Sequence, residues 1–188
     1  MGTKPDENGY YDCLKSGRLY QDFVMQMLRR KKGWAISVFS SLFFQKNIGE
    51  SAQGIEIKLD NPSESSGRLL IETARRFNED GKWVPSGICR KDNTIHYAVG
   101  NFEFFYVFDV KVLRRIYKEF QTAKERDEMP HYFKPMYSEE QLKNETGNGF
   151  LWDIANIEER DLFLFRVDCK EEGKFLLREI GFQGKKNA

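Results

Sequence analysis

The chain has 188 residues, with 30 Lys and Arg against 29 Asp and Glu, and a formal charge of +1. That length suits one domain, and the 40% hydrophobic and 14% aromatic content is enough to fill a core and too much for a disordered chain. No apolar stretch approaches the ~18 residues of a membrane helix, and a near-neutral chain is no polycation, so any nucleic-acid contact needs its positive charge gathered on one face.

Residues 1–17 read as a loose polar tail without an apolar signal core, so export is not expected. Over 18–32, Leu19, Phe23, Val24, Met27 and Leu28 recur at helical spacing and predict an amphipathic helix, closed by Arg29-Arg30-Lys31-Lys32 and Gly33. Cations in a last turn suit the helix dipole. Residues 34–45 begin as a strand, and their second half fits strand or helix. Residues 47–54 are turn-forming. Residues 55–60 alternate strictly, with Ile55, Ile57 and Leu59 on one face and Glu56, Lys58 and Asp60 on the other. Further strands are expected at 68–77, 94–99 and 102–108, with a turn at 81–86. Asp109 is placed to cap a helix over 110–126 whose stripe is Val112, Leu113, Ile116, Tyr117 and Phe120. Residues 127–188 are less periodic. They suggest a loop holding Pro130 and Pro135, short helices at 139–144 and 153–160, and a C-terminal strand or two, as an extension of a core spanning 18–126. The order predicts an α/β or α+β domain built on one mixed sheet flanked by helices.

Several chemistries lack their residues. Cys13, Cys89 and Cys169 are odd in number and far apart, which argues against a disulfide framework and fits a reducing cytoplasm. His96 and His131 are the only histidines, with no CxxC or HExxH, so a zinc site is not expected. Gly49 and Gly54 have P-loop spacing, but Ile55-Glu56 stand where Lys-Ser/Thr must be.

The informative segment is 49–60. Glu56 and Lys58 share a strand face within about 7 Å. Glu50 would lie roughly 20 Å from Glu56 on a straight strand, so a reversal over 51–54 is needed to bring it back, and Gly49 and Gly54 supply the φ > 0 positions such a turn uses. Two carboxylates and an ammonium so gathered suit magnesium-dependent phosphodiester hydrolysis: carboxylate oxygens take the hard cation, and a lysine orients water or offsets developing charge. On alternation alone, Glu56, Lys58 and Asp60 would be the solvent face of an amphipathic strand.

Glu50-x5-Glu56-x-Lys58, within Gly-Glu-Ser-Ala-Gln-Gly-Ile-Glu-Ile-Lys-Leu-Asp, resembles the PD-(D/E)xK motif of the restriction-endonuclease-like nucleases. That family's core runs helix, strand pair carrying the acids and lysine, further strands, helix, which is compatible with the order over 18–126. The resemblance implies Glu50 and Glu56 as metal ligands, the Ile57 carbonyl as a further ligand, and Lys58 as catalytic lysine. It also implies a Gln or Glu on the first helix facing the site, for which Gln21 is the best match and Gln26 and Asp22 are rivals. The first acid is Glu where Asp is commoner, it follows Gly49 in place of Pro, and the gap to the second acid is short. Glu72 on the next strand is the substitute if Glu50 is not a ligand.

What the resemblance implies is a Mg²⁺-dependent endonuclease of double-stranded DNA, type II restriction-like, in a bacterial or phage setting. Mn²⁺ is accepted by the same oxygens, and a single active site per chain favours a homodimer. The alternatives are a catalytically inactive nucleic-acid-binding module of the same fold, and a repair or recombination nuclease that reads DNA structure. Candidate phosphate contacts are Arg75, Arg76, Arg90 and Lys91, the last two in a loop at 87–93, since phosphate contacts supply most sequence-independent affinity. Residues 111–126 carry six basic and two acidic side chains. Phe43-Phe44 and Phe104-Phe105-Tyr106 read as core, and His96 as structural.

Overall fold

The computed structural model describes residues 7–179. Its order is α1 (Glu7–Lys32), α2 (Leu42–Asn47), β1 (Ile55–Leu59), α3 (Ser63–Ser66), β2 (Arg68–Arg75), β3 (Val84–Pro85), β4 (His96–Gly100), β5 (Phe104–Asp109), α4 (Val110–Glu125), β6 (Phe133–Pro135), β7 (Gly147–Asp153), α5 (Ile154–Glu159), β8 (Phe165–Asp168) and α6 (Lys170–Glu179). The fold is α+β, with helices and two sheets in place of the single mixed sheet expected.

The first sheet has the order β1-β4-β5-β8. β1 and β4 are parallel, and β4–β5 and β5–β8 are antiparallel. A parallel neighbour needs a long crossover, and the chain between β1 and β4 uses it to build half of the second sheet. That sheet, β3-β2-β7-β6, is antiparallel throughout. The crossover starts at Asp60, whose carboxylate accepts from the Leu70 N–H at 2.7 Å while its carbonyl accepts from the Ser63 hydroxyl at 2.6 Å. Asp60 is therefore a buried turn residue and not a third member of the Glu56–Lys58 row.

Alternation along the strands divides the interior in two. On one face of the first sheet, Ile55, Ile57, Ala98, Phe105 and Val107 meet Tyr20, Phe23, Val24, Met27 and Leu28 of α1. On the other, Tyr97, Val99, Tyr106 and Phe108 meet Leu113, Ile116 and Phe120 of α4 and Leu69, Ile71, Phe150 and Trp152 of the second sheet. Phe120 and Phe150 stack with ring centroids 5.1 Å apart. Asp109 caps α4 as expected, accepting from the Lys111 N–H at 2.7 Å, and Asp153 caps α5 in the same way.

Four expectations are corrected. Residues 7–17 are helical and belong to α1, not to a tail, and residues 1–6 lie outside the described residues. Residues 127–179 are not an extension: β6 and β7 complete the second sheet and β8 closes the first. The strand expected from 34 shrinks to a bridge between Val38 and Ser51, followed by helix α2. A helix, α6, follows β8 where the sequence suggested only strand, and β7 forms at Gly147–Asp153, where no strand was expected.

Candidate functional site

Residues 48–54 leave α2, reverse, and enter β1, and the reversal depends on two glycines. Gly49 (φ +138°) and Gly54 (φ +68°) both press on Asn93: an added Cβ would lie 1.8 Å from its side-chain oxygen at the first and 2.4 Å from its carbonyl oxygen at the second. Asn93 accounts for the pressure, because it clamps the turn. Its N–H donates to the Ile48 carbonyl at 2.7 Å and its amide group to the Ser51 carbonyl at 2.9 Å. Ser51 completes the reversal, its hydroxyl donating to the Ile55 carbonyl and accepting from the Ile55 N–H. Asn93 was expected in a DNA-facing loop. It is an internal clamp.

The reversal lays Glu50 along the free edge of β1. Glu50 Oε2 accepts from the Ile57 N–H at 3.2 Å, and Oε1 accepts from Lys58 Nζ at 3.1 Å. The N–H and C=O of one residue leave a strand on the same side, so the Ile57 carbonyl also faces the Glu50 edge, away from β4. Gln21 Nε2 lies 3.4 Å from Glu50 Oε2, whereas its rivals Asp22 and Gln26 are exposed on the outer face of α1. Glu56 points to the other side of the sheet plane from Ile57, its side chain 1% exposed, with Lys58 Nζ 2.8 Å from Oε1. Neither Glu56 oxygen accepts a hydrogen bond of good geometry. Glu72, from β2 of the second sheet, brings Oε2 to 3.9 Å from Lys58 Nζ, and the Ser86 hydroxyl donates to its Oε1.

Three carboxylates therefore surround one ammonium. Burial pushes the Glu56 carboxyl above the usual carboxylate range; Lys58 pulls it back, and Glu50 and Glu72 add to the rise. For Lys58, burial works against the charged form, but Glu56, Glu50 and Glu72 outweigh it and keep the ammonium charged well above the ordinary lysine range. Tyr97 sits opposite Glu56 in the parallel register. It is fully buried, and its hydroxyl has no hydrogen-bond partner.

Among the described residues no three His, Cys, Asp or Glu side chains converge closely enough to enclose a metal ion by themselves. The candidate donors are the Glu50 carboxylate and the Ile57 carbonyl on the free edge of β1 and the buried Glu56 carboxylate on the sheet face, bridged to Glu50 by Lys58 Nζ. That set fits a hard cation that keeps several of its waters, as Mg²⁺ does, and the orphaned Glu56 oxygens are acceptors still to be satisfied.

The basic candidates separate. The Arg76 guanidinium donates to the carbonyls of Glu145, Leu142 and Lys143, each at 2.7 Å, and lies over the Trp83 ring. Arg90 reaches the Gln45 carbonyl and pairs with Asp92 at 2.9 Å. Both guanidinium groups are tied into contacts within the protein, while Arg75 and Lys91 are exposed. His96 leans on Trp34, with ring centroids 5.2 Å apart, as a structural residue would. Phe105 and Tyr106 are core, but Phe43 and Phe44 are not: they are 68% and 45% exposed. Sequence reasoning missed Tyr97, Asn93 and Ser86. Only Tyr97 had a local signal, its strand alternation, and that does not reveal Glu56 as its neighbour.

Compared with known proteins, the chain matches no family model, no curated protein and no solved structure. No helix among the described residues is long and apolar enough to cross a membrane.

Proposed function

We propose that the chain is a Mg²⁺-dependent nuclease of double-stranded DNA, of the restriction-endonuclease-like kind. The observation that carries this reading is the meeting of Glu50, Glu56 and Lys58 across a reversal that needs Gly49, Gly54 and Asn93 to form. Glu50, Glu56 and the Ile57 carbonyl would hold the cation, and Gln21 would orient Glu50. A bound divalent cation supplies positive charge that polarises the phosphate and lowers the pKa of water.

The chain's own residues do the rest. Lys58 holds water in line with the scissile phosphorus and offsets the charge growing on the phosphate oxygens. The water oxygen bonds to phosphorus as the bond to the 3′ oxygen breaks. The attacking water gives up a proton to solvent, the 3′ oxygen leaves and takes one up to become a hydroxyl, and the 5′ phosphate stays on the other fragment. Arg75 and Lys91 supply exposed positive charge for the backbone, and a homodimer would serve both strands.

The test is incubation of the purified protein with plasmid DNA in Mg²⁺, Mn²⁺ or EDTA, beside Glu56→Gln and Lys58→Met. Metal-dependent fragments that both substitutions abolish support the reading. Preference for branched over linear duplex would move it to a repair nuclease, and DNA binding without cleavage would replace it with an inactive binding module.

A further inference from the structure

Glu72 is not needed by the cation set just described, yet several features of the fold converge to place it. β2 carries an irregularity between Glu72 and Ala74 where it pairs with β7, and such bulges re-aim a side chain. Two glycines give the Glu72 backbone its room. A Cβ on Gly87 would lie 2.2 Å from the Glu72 carbonyl oxygen, and one on Gly149 would lie 3.1 Å from the Glu72 Cα. Ser86 is buried, its N–H donates to the Thr73 carbonyl at 3.0 Å, and its hydroxyl holds Glu72 Oε1. The other oxygen is left facing Lys58 at 3.9 Å, just beyond contact.

We propose that Glu72 is a positioning residue: it takes over the Lys58 ammonium when a divalent cation occupies Glu50 and Glu56. The inference rests on the nuclease reading above. In the cation-free protein Lys58 leans on Glu56 at 2.8 Å and Glu50 at 3.1 Å. With Glu50 and Glu56 engaged as cation ligands, Lys58 would lose two of its three counter-charges. The third is Glu72, anchored by Ser86 on a different sheet and hence independent of the cation. Lys58 is then held between Glu72 and the substrate, charged and aimed, where it would otherwise swing into solvent. A cation-ligand role for Glu72 is the competing assignment, and the Mg²⁺ affinity of a Glu72 variant separates the two.

The experiment compares the full chain with Glu72→Gln, a substitution of the same shape. Mg²⁺ affinity is measured by titration calorimetry, the Lys58 ammonium by proton–nitrogen NMR with Lys58→Met for assignment, and single-turnover cleavage on plasmid DNA. In EDTA both proteins should show the Lys58 signal, which establishes that the variant is folded. With saturating Mg²⁺ the wild type should keep the signal and Glu72→Gln should lose it, with Mg²⁺ affinity within about threefold and the cleavage rate down about tenfold or more. Glu72→Asp should restore part of the rate. An unchanged signal and rate in Glu72→Gln would overturn the proposal, as would a tenfold weaker Mg²⁺ affinity, which would make Glu72 a ligand. A wild-type chain that binds no Mg²⁺ would overturn the nuclease reading itself.

Discussion

Replacing Lys58 by Met leaves Glu56 buried with no counter-charge, and the cost can be worked from the geometry. At 2.8 Å and an effective dielectric of about 20, the pair attracts by about 6 kcal/mol before desolvation is counted. Removing one partner of a buried pair costs about 3–5 kcal/mol. Lys58 keeps 29% of its side chain in water, which places the loss near 3 kcal/mol, or a fall in Tm of about 6–12 °C for a chain of this length. The pH dependence has a definite sign. Burial already holds the folded-state pKa of Glu56 above its ordinary value, and loss of Lys58 raises it further. The folded state then retains the proton longer than the unfolded chain, so the variant loses stability relative to wild type as pH rises above about 4.3 and through the raised folded pKa. Urea titrations in EDTA from pH 4.5 to 8 measure the difference. It should be small at the acid end, grow with pH, and largely vanish when Glu56→Gln is added to Lys58→Met. A loss that does not vary with pH, or that persists in the double variant, would refute the reasoning.

Gly173 in α6 has its Cα against Phe102, and a Cβ there would lie 1.8 Å from the Phe102 carbonyl oxygen. Gly173→Ala should lift α6 from the first sheet and lower stability by about 2 kcal/mol or more, read from the urea midpoint. Arg76→Ala deprives three carbonyls of a charged donor and should cost about 1–3 kcal/mol, whereas Arg75→Ala should stay within about 0.5 kcal/mol and reduce DNA retention at low salt. Phe43→Ala should likewise leave the thermal midpoint nearly unchanged, while Phe150→Ala, in the aromatic core, should cost about 3–5 kcal/mol.

The regular elements were legible where one side chain pattern decides them. The α1 stripe from Leu19 to Leu28, the strict alternation of β1 and the Asp109 cap of α4 are local signals and all are present, although α1 begins at Glu7, eleven residues before its expected start. The glycine-flanked reversal was legible too, because φ > 0 is a local demand. Elements decided by distant partners were not. β7 runs through Gly147-Asn148-Gly149, and only its pairing with β2 on one side and β6 on the other makes that segment a strand. Phe43 and Phe44 look like core by composition. They are exposed, and neither is among the side chains that form the two cores. Arg76 and Arg90 read as free charge, and their carbonyl partners are 45 to 69 residues away in the chain.

By itself the sequence determined the pair Glu56–Lys58 on one strand face, the need for a turn to return Glu50, and the amphipathic stripe of the first helix. These follow from backbone geometry over a dozen residues. The tertiary structure decided that Asp60 turns away, that Glu72 arrives from a second sheet, and that Tyr97 lies opposite Glu56. Those placements depend on which strands pair and in what register, and register is settled by burial of the two apolar cores as a whole, not by any residue's own neighbours.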